Sequence, residues 1–178
     1  MPPAFPFAFP FFFAGMWTAV SYLLSRLSGW RSLAERYRTG GAPEGERLAW
    51  TSAKIGGVSF KGCLNLTLGP AGLFLVPSLP FRLFMPPLLI PWTEIRFEGF
   101  ARMFFLEFAC FRLGGHGPVF AVFRRTGEKL RPYLLAEPRA AFESGRAFAG
   151  SLLDRRILLV AAAGAVAGLV AAMIAARR

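Results

Sequence analysis

The residues able to do chemistry in this 178-residue chain are few and far apart. One histidine, His116, sits in a "GGHGP" run, and two cysteines, Cys63 and Cys110, each lie inside an apolar stretch. A zinc site takes about four nitrogen or sulfur ligands, and a lone histidine without cysteine neighbours does not supply them. The cysteines read first as small core residues, with a disulfide or a reactive thiol as the alternative. Asp154 is the only aspartate, and the glutamates are scattered, several beside arginines, as in Glu46–Arg47 and Glu94, Arg96, Glu98. Neither a phosphate-cradling "GxxxxGK[ST]" nor a "GxSxG" nucleophile elbow occurs. The inventory therefore predicts no catalytic residue, no metal ligand and no cofactor.

Charge points to binding instead. Lys+Arg is 21 against Asp+Glu 10, a formal net charge of +11. Such a surplus favours an anionic partner: a phospholipid leaflet, a nucleic acid or an acidic protein. Arg31, Arg36, Arg38 and Arg82 are the candidate contacts to lipid headgroups. Trp30, Phe81, Phe84 and Met85 are the candidates to enter the interface. Three of these four lie in "VPSLPFRLFMPPLLIPW", a proline-fixed stretch that either dips into a bilayer or folds back over the domain. Nucleic acid is not expected, because the arginines bordering the two apolar ends are accounted for by membrane topology and no stacking-aromatic motif is visible. Membrane lipids, another membrane or cytoplasmic protein, and a second copy of the chain are the expected partners.

These residues must be positioned by the elements between them. Residues 5–27 and 157–176 are apolar, and the second run holds twenty uncharged residues between arginine pairs. A bilayer core takes roughly 20 residues of helix, so both are expected to span. Positive charge follows rather than precedes the first run, which favours an uncleaved anchor over a signal peptide. Ala14, Thr18, Ser21 and Ser25 share one helical face, as do Ala161, Gly164, Gly168 and Ala172, and these small stripes are expected to pack together. Arginine placement puts the middle domain on the cytoplasmic side of a bacterial inner membrane, as a multi-pass protein. Residues 28–43 read as an interfacial helix and linker, with an S-x-x-E capping box at Ser32 and Glu35.

Residues 44–135 have strand periodicity. "CLNLTLGPAGLFLV" alternates Leu64, Leu66 and Leu68, turns at Gly-Pro-Ala-Gly, then alternates Leu73 and Leu75, a hairpin pattern. "ARMFFLEFACFRL" and "VFAVFRR" flank "GGHGP" as a second hairpin, and residues 136–156 read as a helical connector. The expected fold is an α+β membrane protein: two transmembrane helices flanking a small antiparallel barrel or curved sheet with a C-terminal helical cap. The succession "LNLTLGPAGLFLV" then "PPLLIPWTEI", with "SGWRSLAERYR" upstream, resembles pleckstrin-homology-like and GRAM-like domains of bacterial membrane proteins. The resemblance implies a small barrel used for lipid binding, protein binding or scaffolding. Members that bind phosphoinositides cluster basic residues in the first hairpin, where this chain has only Lys54 and Lys61.

Overall fold

In the computed structural model, the structure describes residues 5–103 and 105–150. Helix α1 (Phe5–Leu27) leads into the short helix α2 (Trp30–Tyr37), and both precede the sheet. Seven strands follow: β1 (Glu46–Ile55), β2 (Val58–Gly69), β3 (Gly72–Pro77), β4 (Leu88–Ile90), β5 (Ile95–Met103), β6 (Leu106–Leu113) and β7 (Val119–Phe123). Helices α3 (Arg124–Leu130) and α4 (Ala136–Glu143) close the described chain.

All strand pairs are antiparallel, in the order β4-β3-β2-β1-β7-β6-β5. Two meanders, β1–β4 and β5–β7, are joined where the end of β1 pairs with β7, Ala53 opposite Val122 and Ile55 opposite Phe120. The result is one curled sheet, a half-barrel. Its concave side is filled: Leu64, Leu66 and Leu68 of β2 and Leu73 and Leu75 of β3 are all buried, as period-two alternation requires. Phe142 of α4 completes the core from the far side, its ring 4.9 Å from both Phe97 and Phe100. Gly99, with φ 142°, admits this segment: a Cβ there would lie 2.5 Å from the Phe148 nitrogen.

Helix α2 is part of this core. Trp30 and Leu33 are buried, so the helix packs on the sheet rather than lying at an interface. Its cap also differs from the expected box. The helix starts earlier, after Gly29 at φ 71°, and Ser28 Oγ accepts the Trp30 backbone N–H at 3.3 Å. Ser32 Oγ instead donates to the Gly29 carbonyl at 2.8 Å.

The expectation of two membrane-spanning helices is overturned. Among the described residues, no helix is long and apolar enough to cross a membrane. The last turns of α1 are committed to protein, since Ser21 and Ser25 are buried. With the spans falls the multi-pass placement in a bacterial inner membrane, and the reading of the chain as a transmembrane protein. Residues 157–176, with Ala161, Gly164, Gly168 and Ala172, lie outside the described residues.

Candidate functional site

The proline-rich stretch after β3 folds back on α1. Its carbonyls have no strand partner over residues 78–87, and side chains of the two first helices donate to them. Ser25 Oγ donates to the Phe84 carbonyl at 2.8 Å, and Trp30 Nε1–H to the Pro86 carbonyl at 2.9 Å. Trp17 lies 5.4 Å from Phe81 and Tyr22 edge-on at 5.6 Å from Phe84. Trp30 and Met85 are therefore core residues, while Phe81 and Phe84 are half-buried against α1. The small stripe of α1 is divided: Ser21 and Ser25 are buried, whereas Ala14 and Thr18 are exposed.

The candidate arginines are exposed but do not form one cluster by themselves. Arg31 pairs loosely with Glu35 at 3.8 Å, one turn along α2. Arg38 bridges Leu88 through the backbone, and Arg82 Nε donates to the Pro77 carbonyl at 3.1 Å. What the tertiary structure adds is a partner for Arg82. Together with Arg47 it borders a groove of about 410 Å³ on the outer face of β1–β3, floored by Thr67, Phe74 and Val76.

Arg47 also borders the adjoining hollow, of about 310 Å³, with Arg125 and Lys129. Arg125 in turn borders a third, of about 530 Å³, with Arg102, Arg124, Phe105 and Leu106. Shared residues make the three hollows one basic track across the sheet. Among the described residues, Arg47, Arg82 and Arg125 have no ion-pair partner. The acids beside the track are already engaged. Glu46 accepts from Lys129 at 2.7 Å, and Glu107 accepts from Arg102 at 2.7 Å and Arg124 at 2.8 Å. Hydrogen bonds from those two guanidinium groups hold the Glu107 carboxyl below the usual carboxylate range.

Sequence reasoning missed Arg47, Arg125 and a local distortion next to them. At φ 54°, Trp50 is the one described non-glycine residue in the left-handed region, at an irregularity in β1–β2 pairing between Leu48 and Thr51. Such a φ is an outlier for a bulky side chain. Asn65 Oδ1 stabilises it by accepting the Trp50 backbone N–H at 3.1 Å, leaving the indole 72% exposed above the strand. The only advance signal was Asn65 between the leucines of β2.

The remaining reactive groups are placed elsewhere. Cys110 is fully buried and its thiol is pushed up to about 12, and burial also raises Cys63. His116 is exposed in the β6–β7 loop. Among the described residues, no group of three histidines, cysteines or acids is placed to hold a metal. The arrangement can attract anions and offer them apolar flooring between cations. No family model matches the chain, and neither a curated protein nor a solved structure matches it.

Proposed function

We propose that the protein is a non-catalytic binding module that docks on anionic lipid headgroups through the basic track of its curled sheet. The observation carrying this reading is the run of Arg82, Arg47 and Arg125 along adjoining hollows, none with an ion-pair partner among the described residues. Cations aligned this way repel one another unless anions meet them, and each basic residue at an anionic leaflet contributes about 1 kcal/mol. The apolar floor between them suits the boundary between headgroups and acyl chains better than a bare polyanion. This use agrees with what the resemblance to pleckstrin-homology-like domains implies.

A second reading, scaffolding of a partner protein, is favoured by a separate surface. Phe11, Met16, Val20 and Leu23 of α1 and Leu79 and Leu83 of the loop folded back on it are all exposed. Apolar surface of this kind marks association sites.

Sedimentation of the full chain with phosphatidylglycerol vesicles, compared with phosphatidylcholine vesicles across a salt series, tests the first reading. Binding should require the anionic lipid and weaken as salt rises. Equal binding to both lipids would remove the reading, and tighter binding to single-stranded RNA than to vesicles would redirect it.

A further inference from the structure

We infer that the β5–β6 hairpin tip enters the acyl boundary of an anionic bilayer, Phe105 and Leu106 leading, with Arg102, Arg124 and Arg125 at the level of the phosphates. The inference rests on the lipid-docking reading and gives it a geometry. Phe105 is 100% exposed and Leu106 52% exposed, at a turn whose sequence, "MFFL", contains none of the polar or glycine residues that turns favour. A fully solvated phenylalanine at a turn is costly in water and favourable in lipid.

The strands behind the tip are firmly paired and packed. Strands β5 and β6 pair from Ile95 opposite Leu113 to Met103 opposite Leu106, with one register shift between Phe97 and Gly99, and the turn projects on the unbroken part of the ladder from Gly99 opposite Cys110 onward. Phe108 and Phe123 stack at 5.0 Å behind it. Arg124 is fixed over the Phe100 ring at 4.9 Å and to Glu107, which also takes Arg102. Around the tip, Arg102, Arg124 and Arg125 face Glu107, with Glu128 also paired to Arg124, which leaves an excess of one positive charge directly behind an apolar point. That charge complementarity selects an anionic lipid surface as the occupant. The far end of the same strands, at Leu113 and Gly114, lies against α2, so the tip projects away from the first helices.

The test uses the full chain carrying Phe105→Ser and Leu106→Ser, both at exposed positions, with a thermal melt to verify the fold. Affinity for phosphatidylglycerol vesicles should fall on the order of a hundredfold, the loss expected when two large apolar side chains no longer leave water. Elution from a heparin resin, which reads charge alone, should stay at the same salt. Undiminished vesicle affinity overturns the inference, and so does loss of a dimer in place of vesicle binding. A parallel Arg47→Ala, Arg125→Ala chain separates the two levels. If it binds vesicles as well as the parent, the lipid-docking reading fails; if it alone loses binding, docking stands and penetration fails. As a second measurement, Phe105→Cys in a Cys63→Ser background carries an environment-sensitive fluorophore. Its emission should shift to the blue on vesicles, and emission unchanged from water overturns penetration.

Discussion

Two segments of this molecule combine phenylalanine, methionine and leucine with a nearby arginine, yet they end in opposite environments. The stretch from Val76 to Trp92 is folded against the helices, with Met85 fully buried and Phe81 and Phe84 half-covered. At the β5–β6 turn Phe105 is wholly exposed and Leu106 half-exposed. Hydrogen-bond accounting separates them. The proline-rich segment has carbonyls outside any ladder, and Ser25 and Trp30 satisfy two of them by drawing the segment onto α1 and α2. The hairpin turn follows strands whose backbone groups already pair, so nothing pulls it inward. Apolar composition alone does not say whether a loop is core or contact surface.

The contrast can be broken most forcefully on the folded-back side. Trp30→Ala removes a fully buried indole and its bond to Pro86, and should cost about 3–5 kcal/mol of stability in denaturant unfolding. Urea midpoints within error of the parent would mean that the loop is not held by this contact. On the exposed side, Arg47→Ala with Arg125→Ala should weaken binding to phosphatidylglycerol vesicles roughly thirtyfold, about 1 kcal/mol per cation, with the melting temperature unchanged. Glu107→Gln sharpens the comparison in the other direction. It removes the acid that Arg102 and Arg124 share at the tip and should tighten vesicle binding about fivefold. Smaller again in what it disturbs, Ser25→Ala deletes a single hydrogen bond to Phe84 and should lower stability by about 1 kcal/mol while leaving vesicle affinity as it was.

A pH series completes the set through Glu107. Its carboxyl is held below the usual range in the folded state, chiefly by the hydrogen bond from Arg102 and then that from Arg124. A depressed carboxylate stabilises above its unfolded pKa, and that contribution is lost as pH falls through the lower folded value. Between pH 7 and pH 5 the tip should therefore bind vesicles unchanged, because Glu107 stays ionised and paired. Binding that strengthens already at mildly acid pH would show that the pair is not holding the carboxyl down.

Parts of the fold were legible because they rest on local pattern. The Leu64–Leu68 and Leu73–Leu75 alternation around Gly-Pro-Ala-Gly forms β2–β3 in the register its leucines suggest, Leu66 opposite Leu75. The "GGHGP" turn joins β6 to β7 in the same way. The break in "ARMFFLEFACFRL" was not legible, since no glycine, proline or polar residue marks it, and the run reads as one strand. Arg82 was recognised from its apolar loop, but Arg47 and Arg125 carry no local signature.

What the sequence by itself determined is the set of strand faces and the excess of positive charge, because period-two alternation and composition need no partner to be read. The length of the apolar runs was equally plain, yet it did not decide whether α1 spans a bilayer. In the folded chain Ser25, buried near the end of α1, ties its last turns to the loop through the Phe84 carbonyl. Only the tertiary structure decided which cations stand together. Arg47 and Arg125 become neighbours because the curl pairs the end of β1 with β7, carrying the start of α3 beside β1. Long-range pairing fixes such proximity, and no local pattern encodes it.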